Sequence, residues 1–297
     1  MTAGGDRRGR WAGRLWAALD RPRVWIWLIL GYCAAHFVLR LCLSPIYTLD
    51  EAEQVLFAQE LSLGYRFRHP PLITWATYLT QSVFGVSLPS LAALKYLIMA
   101  GGFLALFQAG RLFLDDVRLS GLAVAAFWMT FTVGYYPHVD LMHTVALTSL
   151  LGAALWALGR LVCRPAPLWI YALAGAIIAA GTLSKYVFAI FPLAAGLALL
   201  FVPELRARLR PSGIALMVAV ALALLAPYAI WTAVHEYSLL TLARDVAGSE
   251  ERPFFLLAWG QGLVGLALAL AMFVLPFLAI FASLFPRARA PLPLGGE

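Results

Sequence analysis

The chain has 297 residues, 62% of them hydrophobic and only 12% charged, with a mean hydropathy of +0.83, where a soluble domain carries roughly 25% charged residues. Such a chain does not stay dissolved in water, and because each bilayer crossing takes about 20 residues, the crossings leave no length for a sizeable soluble domain. The net charge of +7 comes from arginines in short clusters between apolar runs, a pattern that orients a membrane protein, so nucleic acid is not an expected partner.

The basic amino end, 1–23, precedes an apolar run at 24–43. That run is longer than the roughly 7–15 apolar residues of a signal peptide and no small-residue cleavage site follows, so it reads as an uncleaved first span. Further runs long enough to cross lie at 91–114, 119–136, 141–158, 168–183, 186–202, 214–233 and 254–285, the last overlong and therefore expected to tilt or to kink at Pro276. The expected fold is all-α and integral to the membrane, a single domain over 1–297 with about eight transmembrane helices. Arginine-rich connections (1–23, Arg111 with Arg118, Arg160 with Arg164, Arg206 with Arg208 and Arg210, and the tail 286–297) alternate with arginine-poor ones, which makes both termini cytoplasmic. The outer face then receives a first loop at 44–90, two tight turns around 137–143 and 184–185, and a last loop at 234–253. Within the first loop, Ala52, Val55, Leu56 and Leu63 mark one short helix and Leu72, Ile73, Trp75, Ala76, Leu79, Val83 and Phe84 a second, both expected to lie in the interface with the apolar side toward the bilayer. Cys33, Cys42 and Cys163 have neither metal-site spacing nor an even count and read as buried small hydrophobes.

The polar residues at the outer face each admit two readings. Asp50 and Glu51, in YTLDEAEQ, fit helix capping, with Thr48 and Glu51 or Asp50 and Glu53 as the capping box; equally, a carboxylate at headgroup level can accept a proton from an attacking hydroxyl. Asp140, in YYPHVDLMH, is either part of a polar surface turn or a functional acid at the mouth of a span. Its neighbours His138 and His143 read as surface histidines rather than metal ligands. The chain has only two lysines, Lys95 and Lys185. Lys95 is expected to snorkel toward headgroups, whereas Lys185, in LSKY with no loop to spare, has few partners unless an anion docks there. Arg66, Arg68 and His69, just before Pro70 and Pro71, form either a phosphate pocket or a headgroup-binding fringe.

Taken together, LDEA at 49–52, GYRFRHPPLITW at 64–75, HVDLMHTVAL at 138–147, GTLSKY at 181–186 and PYAIWTAVHEYS at 227–238 resemble the polyprenyl-phosphate-sugar-dependent glycosyltransferases of the GT-C class, in particular the family 39 and RgtA/B/C/D-like branch. The resemblance runs from about Trp25 to Pro276. It implies interfacial helices over a membrane-embedded site, a sugar donor linked through phosphate to a polyprenyl chain, and an acceptor on the outer side. By motif match it also implies Asp50 of the acidic pair as general base, with Asp140 and Lys185 as further site residues and Arg66, Phe67 and Arg68 at the place of the family's Arg or Tyr before HPP. Two departures are evident: no aromatic residue closely follows the acidic pair in AEQVLF, and members of the family generally continue for several more spans, so a fragment, a short paralogue or a degenerate copy is the expectation.

The chemistry so implied is attack of an acceptor hydroxyl on the anomeric carbon with polyprenyl phosphate departing. It needs a base, Asp50, and cations near the phosphate: Lys185, Arg66, Arg68 and His69. No cofactor is required and a divalent metal is optional. The acceptor is an envelope glycan, a lipid or a protein, reached from a bacterial inner membrane, and membrane lipids surround the chain. Rival readings are a non-catalytic or truncated membrane subunit of the same ancestry, and a lipid or solute transporter, which would carry charged residues at mid-span on broken helices.

Overall fold

The computed structural model describes residues 14, 16–66, 69–140, 142–235, 260–265, 267, 268, 271 and 275, without the side chains of Phe131 and Thr132. Its residues fall into two units divided after Leu242; the described residues of the second unit are all helical, and the expected run at 254–285, the loop beyond residue 235 and the tail 286–297 lie largely or wholly outside the described residues.

In the first unit, α1 (Pro22–Leu43) leads to two short helices, α2 (Leu49–Phe57) and α3 (Leu72–Phe84), then to α4 (Leu88–Phe113) and α5 (Val117–Trp128). A π-helical turn (Phe131–Tyr135) and α6 (Tyr136–Val139) connect α5 to α7 (Met142–Cys163) and α8 (Leu168–Ser184); a 3-10 turn (Tyr186–Ala189), α9 (Ile190–Phe201), α10 (Pro203–Arg206) and α11 (Pro211–Val234) follow. Among the described residues no strand forms; one isolated bridge joins Arg66 and His69. Four helices, α1, α4, α7 and α11, are long and apolar enough to cross a membrane, and a fifth crossing results if α5 and the segment Val133–Val139, bent by 85°, are counted as one span. The bend begins where the Thr130 hydroxyl donates to the Phe127 carbonyl, a back-bond that competes with the helical ladder. The remaining apolar helices, α8 and the Tyr186–Phe201 segment, are shorter.

Hydropathy builds this bundle because lipid solvates apolar side chains but no backbone amide, so every spanning segment closes its own hydrogen bonds as a helix. Association then relies on close packing. Gly102 of α4 lies against Ser149 of α7, and Gly152 faces the Gly102 carbonyl, small residues that let the two backbones approach. Trp25, Ile29, Phe103, Phe107 and Val124 fill the space between α1, α4 and α5, and Ala154, Ile170, Tyr171 and Ile177 that between α7 and α8.

The two helices of the 44–90 loop bury polar side chains and expose apolar ones. Helix α2 buries Glu51 and Gln54, and α3 buries Thr74, Thr77 and Gln81 beside Ile73, while Leu49, Leu56, Leu79, Val83 and Phe84 stand exposed. That distribution suits elements whose outer surface meets acyl chains and whose inner surface serves a polar interior. Helix α2 is shorter than its sequence pattern predicts, because after Ala58 the chain turns, held by the Trp75 indole N–H on the Ser62 carbonyl (2.7 Å) and the Tyr65 hydroxyl on the Glu60 carbonyl (2.7 Å).

Candidate active site

Polar side chains gather at the end of the bundle where α1 and α8 finish and α4 and α7 begin. Thr48 opens α2 in a capping box with Glu51, whose Oε2 accepts the Thr48 N–H at 3.1 Å. The Thr48 hydroxyl donates to Asp140 Oδ1 (2.7 Å), which also accepts the Asp50 backbone N–H (3.2 Å). Asp140, the first residue of the tight connection from α6 to α7, thus anchors the amino end of α2 and stands beside the Asp50 carboxyl.

Among the described residues the Asp50 side chain takes part in no hydrogen bond or ion pair, and it is half-buried. Its pKa is raised, first by burial and then by the like charge of Asp140, with Glu53 adding to this and His69 and Lys185 opposing it. Asp50, Asp140, His69 and Lys185 therefore share one electrostatic neighbourhood although they come from α2, the α6–α7 connection, the loop before α3, and the end of α8.

Lys185 is held by the turn it occupies. It caps both the carboxyl end of α8 and the amino end of the 3-10 turn, with extended backbone (φ −163°, ψ 130°). The Phe188 ring doubles back onto Gly181, where any β-carbon would overlap it, so the reversal needs only this single extended residue. The ammonium donates to the Thr144 hydroxyl at 3.2 Å; among the described residues it forms no ion pair. Beneath it runs a directional chain: the Thr74 hydroxyl donates to Gln54 Oε1 (2.8 Å), and His143 Nδ1 pairs with the Ser184 carbonyl (3.2 Å), which must accept, so a neutral ring accepts the Gln54 amide at Nε2 (3.0 Å). This chain ties α3, α2, α7 and α8 together and ends on Ser184, the residue before Lys185.

Glu51, adjacent to Asp50 in sequence, has a different setting. It is fully buried (0% exposed), and its two oxygens meet Arg40 Nη2 at 2.6 Å and Lys95 Nζ at 3.3 Å. Burial alone would push the carboxyl up; the Arg40 hydrogen bond, the Lys95 charge and the Thr48 N–H outweigh it and hold the pKa below the ordinary value. Arg40 in turn donates to the Ser44 (2.7 Å) and Ile46 (2.8 Å) carbonyls, fixing the exit of α1. Lys95 is therefore no snorkelling residue: it is fully buried because an anion waits inside, and reaching outward would leave Glu51 against Arg40 alone.

The remaining basic residues divide. Arg66, 63% exposed, pairs with Glu53 (3.1 Å) and lies over the Phe57 ring, while His69 stacks on His143 with centroids 4.8 Å apart and comes within 4.0 Å of Glu53. Arg68, like Phe67, lies outside the described residues. His138 and His143 are not surface histidines. His138 stacks on His36 and its ring nitrogens meet the Tyr32 (2.8 Å) and Tyr96 (3.2 Å) hydroxyls, because two tyrosines and a ring satisfy it better inside than the interface would; His143 is buried. Among the described residues, no group of three or more His, Cys, Asp or Glu side chains is arranged to hold a metal ion. Of the cysteines, Cys33 is buried as expected, but Cys42 and Cys163, at helix ends with little packed over them, are exposed; all three are thiols. Arg40, Gln54 and Thr74 were not singled out from the sequence; the signal for Arg40 was an arginine at the arginine-poor end of an apolar run.

With this geometry described, comparison with known proteins gives the lineage. Residues 68–231 match the dolichyl-phosphate-mannose-protein mannosyltransferase family. The chain belongs to that family. The match takes in two of the five landmarks whole, 138–147 and 181–186, with Asp140, His143 and Lys185, and parts of 64–75 and 227–238; 49–52, with Asp50 and Glu51, lies before it. Relatives include the lipopolysaccharide core galacturonosyltransferases RgtA and RgtB of Rhizobium johnstonii: 33% identity over 262 residues, 88% of this chain and 52% of RgtA, and 33% over 273 residues, 90% of this chain and 54% of RgtB. The chain thus spans about half the length of these curated relatives. No solved structure is significantly similar to it.

Proposed function

We propose that this chain carries the catalytic half of a glycosyltransferase that moves a sugar from a polyprenyl-phosphate donor to an envelope glycan, lipid or protein acceptor at the outer face of a bacterial inner membrane. The observation that carries this reading is Asp50: a half-buried carboxyl with raised pKa and no partner of its own among the described residues, beside Asp140 and within the field of Lys185 and His69. The acceptor oxygen attacks the anomeric carbon, its proton passes to Asp50, and the bond between the anomeric carbon and the phosphate oxygen breaks. The departing polyprenyl phosphate carries negative charge toward Lys185, with His69 and Arg66 or Arg68 adding positive potential. Asp140 serves by holding the start of α2 and raising the basicity of Asp50. Such a site belongs at headgroup level, because the donor's chain is dissolved in the bilayer.

In this reading the chain crosses about eight times with both termini cytoplasmic, 44–90 outside and a basic cytoplasmic end at 1–23. No cofactor is needed. The names of the relatives make galacturonosyl the first sugar and lipopolysaccharide core the first acceptor to assay. The test is transfer of radiolabelled sugar from polyprenyl-phosphate donors to envelope extract by the purified chain, with Lys185→Met as comparison. Transfer that drops in Lys185→Met together with weakened donor binding supports the reading; transfer unchanged in Lys185→Met refutes the assignment of the phosphate to that lysine.

A further inference from the structure

At the end of the bundle opposite Asp50, two cavities of about 340 and 350 Å³ lie side by side and share Arg164 in their walls. Arg111 and Arg160 complete the cationic wall of the first, and Arg208 and Arg210 that of the second. Three guanidiniums thus border each cavity. The positive-inside rule accounts for arginines on this face but not for their position around concavities. Nor are they there to neutralise protein carboxylates: Asp115 and Asp116 line the first cavity, yet among the described residues none of these five arginines has an ion pair, and Asp116 accepts the Leu119 N–H (2.9 Å) as the cap of α5.

Parts of the walls are tied to neighbouring elements. Arg208 donates to the Val162 carbonyl (2.8 Å), the Arg210 backbone N–H donates to the buried Tyr171 hydroxyl (3.0 Å), and Arg111 donates to the Gln108 side chain (3.0 Å). Arg160, in the last turn of α7, and Arg164, just past its end, are like charges lining the same cavity. The helix end offsets part of that repulsion, and an anion between them would offset the rest.

We propose that the two cavities form one site for a ligand bearing two phosphate groups, one seated in each, with Arg164 between them. Guanidinium is suited to this because its planar fork pairs with phosphate oxygens two at a time. Basic pockets between helices at a membrane surface take anionic lipid headgroups, and a diphosphatidyl lipid offers two phosphates at the right depth; a soluble phosphate is the other source of the same chemistry. The proposal is independent of the activity at the opposite end.

The test is native mass spectrometry of the purified full chain in detergent, titrated separately with diphosphatidylglycerol, phosphatidylglycerol, phosphatidylethanolamine and inorganic pyrophosphate. Diphosphatidylglycerol is expected to bind at least about tenfold more tightly than phosphatidylglycerol, each charge-assisted contact contributing a factor of that order, and phosphatidylethanolamine is expected not to be retained. Arg164→Gln should weaken binding about tenfold or more, whereas Arg206→Gln, which removes an arginine of the same face that lines neither cavity, should leave it unchanged; size-exclusion profiles identify any variant that fails to fold, and Arg160→Gln then replaces Arg164→Gln. Pyrophosphate binding with the same arginine dependence would assign the site to soluble phosphates and support its chemistry. Equal retention by parent, Arg164→Gln and Arg160→Gln, or an equal loss in Arg206→Gln, would overturn the proposal.

Discussion

Replacing Glu51 by glutamine tests the buried network beneath Asp50. Removing one partner of a buried ion pair costs about 3–5 kcal/mol, because the opposite charge stays behind unpaired. Here the loss falls unevenly: Arg40 keeps the Ser44 and Ile46 carbonyls, but Lys95, fully buried, donates to Glu51 and to no other acceptor among the described residues. Lys95→Met in the parent leaves Glu51 bonded to Arg40 and Thr48, so it should cost less, about 1.5–3 kcal/mol for a charged hydrogen bond. In the Glu51→Gln background it should cost nothing or restore stability, a coupling of about 2 kcal/mol. Because the Glu51 carboxyl is held below its ordinary pKa, its stabilisation is complete above the ordinary carboxylate range and is lost as pH falls through the depressed value; Glu51→Gln should lose that acid-dependent step. Alkylation of the buried Cys33, after Cys42→Ala and Cys163→Ala, reports unfolding in detergent. Stability of Glu51→Gln within about 1 kcal/mol of the parent, or a Lys95→Met cost that is the same in both backgrounds, would refute a charge network.

Three further outcomes follow from the same geometry. The acid limb of the pH–rate profile for sugar transfer should lie above the ordinary aspartate range, since burial and Asp140 both favour protonated Asp50 and only the ionised form accepts a proton; Asp140→Asn should move that limb downward, and a limb unmoved by the substitution would separate the two carboxyls. Gln54→Leu leaves the Thr74 hydroxyl and His143 without their partner, at about 1–3 kcal/mol for each orphaned buried group, and should lower transfer by loosening Ser184 beside Lys185; a variant as stable and active as the parent would show the chain of hydrogen bonds to be idle. A cysteine at the exposed Glu60, with Cys42 and Cys163 removed, should react with a membrane-impermeant thiol reagent in spheroplasts before lysis, and reaction only after lysis would invert the topology.

The helical class and the positions of the long spans were legible because hydropathy is written residue by residue; α1, α4 and α11 begin and end within three residues of their runs, and α7 begins one residue after its own and runs five residues past it. The 85° bend after α5 was not, since a single threonine back-bond in a continuously apolar stretch leaves the hydropathy unchanged. For α2 and α3 the apolar pattern gave their place and their greasy face, but the buried polar face, with Gln54, Thr74 and Gln81, is visible only once neighbouring helices enclose it. At the site, spacing gave Asp50, Asp140 and Lys185 as residues in search of a partner. It could not distinguish the carboxyl of Asp50, without a partner among the described residues, from the triply satisfied one of Glu51 next to it, because that difference arises from Arg40 and Lys95, eleven residues before and forty-four residues after Glu51. Snorkelling was the economical reading of Lys95 so long as its anion was unknown.

The most direct measurement is single-turnover sugar transfer by Asp50→Asn, made alongside binding of the polyprenyl-phosphate donor. The substitution keeps size and hydrogen-bonding capacity and removes basicity. With Asp50 as the base, the rate should fall by about 10²–10⁴ while donor binding changes little, as expected for a group that acts only in the transition state. Transfer by Asp50→Asn at the parent's rate would contradict the account, whatever the donor affinity.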